Sequence, residues 1–182
     1  MTDEPAPADI LAFWRAAGHD RWYERDDRFD AEVRLRYFEL WQRAAAGNLA
    51  AWEESDDGAL ALTIVLDQFP RNMFRNDPRA YSSDAMAREV AGKAIDRGAA
   101  ARIAPDLREF LYMPFMHSEQ LADQLRCVEL FRQTGNTENL EYAELHAGII
   151  RRFGRFPHRN RVLGRATTPD EQAFLDEGGF SG

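Results

Sequence analysis

The sequence predicts an all-α protein, and three observations carry that expectation. Apolar residues recur at helical spacing along most of the chain, helix-start and helix-stop residues bracket those stretches, and strand-like alternation is hard to find. At 182 residues, 45% hydrophobic and with 12 Phe, 5 Tyr and 4 Trp, the chain can bury a core as a single domain spanning 1–182. The lone cysteine, Cys127, excludes an intramolecular disulfide and any multi-cysteine metal site.

In chain order, Val33, Tyr37, Leu40, Trp41 and Ala44 form an apolar stripe over 30–46 that stops at Gly47. A helix over 56–69 starts on Ser55, with Asp56 and Asp57 favourable in its first turn. Its ALALTIVL body (59–66) is apolar on all sides, as expected of a central helix covered by others. A buried strand is the competing reading, and length and the acidic first turn favour the helix. Pro70 pushes Phe69 toward an extended conformation, so the helix is expected to break there and leave Arg71 and Asn72 in a fresh turn. After NDPRAYSSD a helix is expected over 83–97, ending at Asp96-Arg97-Gly98. Pro105 suits the first turn of the next, with Leu107, Phe110 and Leu111, and Pro114 should end or kink it. Ser118 is expected to cap a helix bearing Leu121, Leu125, Val128 and Phe131, closed by Gly135. Thr137 is the expected cap of the next, with Tyr142, His146, Ile149, Ile150 and Phe153 on one face. Thr168-Pro169-Asp170-Glu171 reads as a capping box opening a short final helix. The total is about eight helices joined by short loops.

Charge and motifs narrow the function classes. With 23 basic and 31 acidic residues the formal charge is −8, which argues against nucleic acid as a partner. MTDEPAPAD shows no secretory signal, and the longest strongly apolar run is far short of a membrane span, so a cytoplasmic protein is expected. Walker, dinucleotide-binding, H-E-x-x-H and G-x-S-x-G patterns are absent from the sequence, and no cofactor is implied.

What remains is a set of polar residues in unusual company. DQFPRN (67–72) is nearly repeated in GRFPHRN (154–160). Asp67 and Gln68 close the apolar helix, and a new turn at Arg71 and Asn72 would offer backbone N–H groups to an anion. The competing reading pairs Asp67 with Arg71 or Arg75 merely to tie down a helix end. His117, over the expected helix start, would resist protonation and suit a neutral general base or an acceptor for a ligand hydroxyl. Glu119 and Asp123 share a face opposite Leu121, Leu125 and Val128, the usual sign of a solvated face, whereas Gln124 flanks the apolar stripe and points inward. His117, Glu119 and Asp123 fit no metal-ligand spacing. Segment 151–165 holds six arginines and His158 with no acidic residue, either an anion-attracting island or a set of helix C-terminal cations. An RNA backbone is a further occupant such an island could attract. His146 reads as a hydrogen-bonded core histidine, and Cys127 as inert.

Four stretches, ILAFW (10–14), LDQFPRNMFR (66–75), PFMHSEQLADQ (114–124) and FGRFPHRNRVLGR (153–165), carry a resemblance over nearly the whole chain. In them the sequence resembles a bacterial family known as domain of unknown function 924. The resemblance implies an all-α array related to tetratricopeptide-repeat proteins, with helices in antiparallel pairs, and implies no activity. The family's polar motif positions fall on Asp67, Gln68, Arg71, Asn72, Arg75, His117, Ser118, Glu119, Gln124, His158, Arg159 and Asn160. Two functional readings follow. In one, both Phe-Pro turns and the His117 segment form a site for an anionic small molecule. Arg71 and Arg159 would hold the anion, Asn72, Asn160 and Gln124 would orient it, and His117 or His158 would move a proton. In the other, the chain is a helical module for a protein partner, its motifs are helix-end clamps, and exposed Trp14, Trp22 or Tyr23 mark the contact surface.

Overall fold

A computed structural model describes residues 5–180, so the first four residues of the MTDEPAPAD segment lie outside the described residues. All regular structure among the described residues is helical. The chain divides into two compact units, 1–75 with 79–114 and 76–78 with 115–182.

The first unit is organised by a helix that shows no face to water. Helices α1 (Pro7–Tyr23), α2 (Asp27–Ala45) and α4 (Asp84–Asp96) pack around α3 (Asp56–Met73). Every residue of α3 from Gly58 to Pro70 is buried, as the all-round apolar run requires. Ser55 caps α3 by accepting from Gly58 N–H at 3.0 Å. An aromatic cluster of Phe13, Trp14, Phe29, Tyr37, Phe69 and Phe110 fills the space between α1, α2 and α3. Trp14 is fully buried, so it cannot mark an exposed contact surface; Tyr23 is exposed. Single turns α5 (Pro105–Arg108) and α6 (Met113–Met116) replace the one helix expected after Pro105.

The expected break at Phe69 does not occur, because α3 runs through Pro70 to Met73. Proline has no N–H to give the carbonyl four residues back, so Leu66 loses its helical partner in a dry interior. A side-chain relay from outside the helix replaces it. The Trp41 indole N–H donates to Ser83 Oγ at 3.1 Å, and the Ser83 hydroxyl donates to the Leu66 carbonyl at 2.6 Å. Arg71 and Asn72 therefore sit inside a helix and present no turn amides to an anion.

The second unit is built on α7 (Leu121–Thr134) against α8 (Thr137–Phe153), followed by α9 (Pro169–Asp176). Gly135 and Gly154 close α7 and α8 in the left-handed conformation that glycine tolerates. Asn136, not Thr137, caps α8, accepting from Asn139 N–H at 3.1 Å. Ser118 does not cap α7, whose N-cap is Gln120; its hydroxyl donates to Asp123 at 2.6 Å. The apolar stripe of α7 is also rotated from expectation. Leu121 and Leu125 are 39% and 48% exposed, while Gln124, Cys127, Val128 and Phe131 face inward. The inward turn of Gln124 has a cause: its amide donates to the carbonyls of Met116 at 2.6 Å and Ser118 at 2.7 Å, tying the α7 start to the preceding loop. Tyr142 is likewise exposed, although His146, Ile149 and Ile150 are buried as expected. The Thr168 box forms, with Glu171 accepting from Thr168 N–H at 2.8 Å.

Replacing Ser83 with alanine strands the Leu66 carbonyl and the Trp41 N–H, and should cost roughly 1–3 kcal/mol in urea unfolding. In a Pro70→Ala background, where residue 70 regains its N–H, the same change should cost clearly less. Equal costs in both backgrounds would sink the relay explanation.

Candidate functional site

The two Phe-Pro motifs lie in different units, and they do different things. In the first unit the polar residues are committed to one another. Arg71 forms a two-pronged bridge to Asp84, both contacts 2.9 Å, and its Nη1 also reaches the Asp67 carbonyl at 2.7 Å and Asp67 Oδ1 at 3.2 Å. Burial works against the Arg71 charge, but the carboxylates of Asp67 and Asp84 overcome it and raise its pKa above the ordinary value. Gln68 donates to Asp67 Oδ2 at 2.6 Å. Asn72 donates to Asp30 at 2.8 Å, and Arg75 pairs with the same carboxylate. The structure thus spends Asp67, Gln68, Arg71, Asn72 and Arg75 on closing the end of α3 against α2 and α4. Asp30, Ser83 and Asp84, which complete these bonds, carried no sequence signal beyond their polarity.

The second motif is a true turn. Phe156 is extended and Pro157 opens a single 3-10 turn, Pro157–Arg159. Glu119 sets this turn by accepting from Phe156 N–H at 2.8 Å. Arg165 then grips Glu119 with two bonds, 2.7 and 3.0 Å, and reaches Asn160 Oδ1 at 3.0 Å. Asn160 in turn donates to Glu171 at 3.1 Å, and Arg155 grips that carboxylate at 2.6 and 2.8 Å. Burial pushes Glu119 toward protonation, yet Arg165 and the Phe156 N–H outweigh it and hold its pKa below the usual range. The Arg155 bond, chiefly, holds Glu171 at about 2. Glu119 and Asn160 are therefore scaffold for the turn, and so are Arg155 and Arg165 from the basic island.

Around that scaffold stands a group of rings and positive charge. Phe156 lies 5.4 Å from the His146 ring and 5.6 Å from that of His158. Phe180 closes the fourth side, 4.4 Å from His146 and 5.3 Å from His158. The buried Arg159 guanidinium lies over the Phe156 ring at 4.5 Å. His146 donates from Nδ1 to the Tyr142 carbonyl at 2.7 Å, which leaves Nε2 as its lone-pair nitrogen. The Nδ1 of His158 is buried and meets no hydrogen-bond partner among the described residues. Burial, above all, lowers both pKa values to about 4; the charges of Arg159 and, for His146, of His117 push the same way. His117 flanks this group on the loop whose carbonyls at 116 and 118 hold Gln124.

The described residues contain no group of histidine, cysteine and carboxylate side chains arranged to hold a metal ion. Cys127 is buried and its thiol pKa is pushed up, so it is unreactive. An open surface cleft of about 450 Å³ in the first unit is lined by charged residues between Asp20 and Arg28. Both signs are interspersed there, four acidic residues and three basic, and they pair locally, as Arg25 does with Asp27 at 2.8 Å.

A family model described as bacterial protein of unknown function (DUF924) matches residues 10–179. The solved structure of a protein of unknown function from Agrobacterium tumefaciens is 44% identical and superposes with a TM-score of 0.91, covering 94% of this chain and 97% of that one. No curated protein matches the chain.

Two measurements probe these assignments. Arg71→Met leaves the Asp67 and Asp84 carboxylates buried without their cation and should cost roughly 3–5 kcal/mol. His146 binds a proton near 6.5 when unfolded and near 4 when folded, so the unfolded chain holds more protons between those values. Its share of stability is therefore complete above about pH 6.5 and falls as the pH drops toward 4, by roughly 2 kcal/mol between pH 7 and pH 5. His146→Phe, which keeps the ring volume, should flatten that part of the profile in denaturant titrations at the two pH values.

Proposed function

The chain belongs to this bacterial family of unknown function, and from the geometry we propose that it is a cytoplasmic protein that binds an anionic small molecule in its second unit, at His117, His146, His158 and Arg159. One observation carries the reading. Three histidine side chains and a buried arginine lie in one ring-lined part of the second unit. A carboxylate or phosphate oxygen suits such a place, because a guanidinium and an imidazole N–H both donate to it. An unpartnered His158 Nδ1 adds a hydrogen-bonding position, and a neutral imidazole beside a bound anion is suited to accept a proton from it. The first-unit motif takes no part in this reading and acts as a structural clamp.

A second reading, a tetratricopeptide-like module for a protein partner, draws support from apolar side chains left in water on α7 and α8. Leu121, Leu125, Tyr142 and Leu145 are exposed there, and single-sided apolar exposure on paired helices suits a partner helix.

Titrating inorganic phosphate or acetate into the labelled protein should move the histidine ring resonances of His146 and His158. Binding should tighten as the pH falls from 6.5 toward 5, because the anion favours the charged imidazole and so draws in a proton. Arg159→Gln should weaken binding by about tenfold or more, a loss of about 1.4 kcal/mol, whereas Arg151→Gln, an exposed neutralisation elsewhere on α8, should leave it within about twofold. Histidine resonances that ignore both anions would remove the proposal.

A further inference from the structure

The outward face of α8 carries a pattern that the packing of one chain does not use. Ala143, His146, Ala147 and Ile150 turn into the core. Opposite them, positions 138, 141, 145, 148 and 152 recur three and four residues apart, which on a helix makes one straight seam. In order they are Glu138, Glu141, Leu145, Gly148 and Arg152, so the seam runs from acidic through apolar to basic. Leu145 is 46% exposed, and Tyr142 beside the seam is 49% exposed. Arg152 rests over the Phe153 ring at 4.6 Å. Neither it nor the two glutamates meets an opposite charge among the described residues. Acid first and base last also complements the helix dipole, but a dipole does not account for the leucine and glycine between them. Glycine weakens a helix interior, and nothing lies within 4 Å of where a Cβ on Gly148 would stand, so the fold of one chain does not require it. A neighbouring edge adds apolar surface. Arg132 on α7 meets Glu144 at 3.6 Å, and the exposed Leu125 and Leu121 lie on that same edge of α7, two and three turns earlier.

We propose that this face binds a second copy of the chain, the two α8 helices lying antiparallel about a two-fold axis between Leu145 and Gly148. In that register Leu145 of each copy faces Gly148 of the other, and Glu141 of each faces Arg152 of the other. The charges dictate the direction, because a parallel pair would set Glu141 against Glu141 and Arg152 against Arg152. The glycine lets the helix axes approach and leaves room for the opposing leucine, the use of Gly148 that one chain alone does not show. Two-fold symmetry makes every contact occur twice, so one self-complementary stripe is enough. Tyr142, and Leu125 and Leu121 on α7, extend the apolar area beside the seam. The inference rests on the protein-partner reading of this surface, to which it gives one occupant, and is independent of the anion site. A single pair of helices makes a small interface, so the association is of the weak and reversible kind.

Sedimentation velocity of the full chain at low salt, carried up to millimolar concentration, should show a monomer–dimer equilibrium. Glu141→Arg and Arg152→Glu each place like charges in both Glu–Arg layers, and each should weaken self-association by about tenfold or more, about 1.4 kcal/mol. An equimolar mixture of these two variants should associate again, since the mixed pair sets opposite charges against each other in both layers. Leu145→Arg should also weaken association by about tenfold, whereas Leu35→Arg, at a leucine 87% exposed on α2, should leave it within about twofold. Thermal unfolding confirms that each variant is folded, as the exposure of these positions leads one to expect. Self-association that survives Leu145→Arg and both charge reversals overturns the pairing, and so does a mixture that fails to associate. A chain that stays monomeric at millimolar concentration also overturns it. If that monomer retains another protein from a lysate and Leu145→Arg does not, the surface serves a different partner; if it retains none, the partner reading falls as well.

Discussion

The bridge from Arg71 to Asp67 and Asp84 is the interaction on which the first unit depends. A helix buried on every side must end somewhere, and its last carbonyls and charged side chains then lie away from water. Here the end of α3 is closed by groups from two neighbours: Asp30 on α2, and Ser83 and Asp84 at the start of α4. Each supplies a bond that α3 cannot make within itself. The same constraint shapes the second unit, where Glu119 is acceptable in a half-buried position only because Arg165 and the Phe156 amide surround it. Buried charge thus decides where the chain must be rigid, and the rigid places are the polar motifs.

That explains why two similar Phe-Pro stretches fold differently. Both contain Phe-Pro, and both prolines forbid one helical hydrogen bond. In GRFPHRN a glycine, Gly154, precedes the proline closely enough to end α8 in the left-handed conformation, so the chain leaves the helix before the missing bond matters. In DQFPRN no glycine offers that exit. The chain stays helical, and a hydroxyl seventeen residues after Leu66 fills the gap. Local rules about proline describe the isolated segment correctly; a tertiary hydrogen bond overrides them where the surroundings are dry.

The fold class and most helices could be read from periodicity and caps because those signals are local, whereas α1 (Pro7–Tyr23) was not expected from the sequence. Ser55, Gly135 and the Thr168 box act within one turn of where they stand. What could not be read were the features set by partners distant in sequence. Leu121 and Leu125 look like core residues on a wheel, but the bonds from Gln124 to the backbone on either side of His117 rotate α7 so that the amide faces inward. Trp14 looks like a surface marker only if one does not know that Phe29, Phe69 and Phe110 surround it. In the candidate site, His117, His158 and Arg159 were visible as types. The part played by His146 was not, since a histidine in an apolar stripe gives no sign of the rings that will meet it from Phe156 and Phe180.

A physical asymmetry between the units follows. The first unit's polar centre is closed: its guanidinium has two carboxylates, its carboxylates have donors, and its proline gap is filled. Binding a ligand there would first require breaking bonds worth more than a solvated anion returns. The second unit has its strong bonds around Glu119 and Glu171, while its imidazoles and the Arg159 guanidinium pack against aromatic rings. Holding two histidines neutral in such a place costs stability as the pH falls, a cost that a simple core would avoid with two more phenylalanines. A fold that keeps that cost in one unit, while closing the α3 end of the other on itself, places a buried imidazole nitrogen without a partner among the described residues at the Phe156 turn.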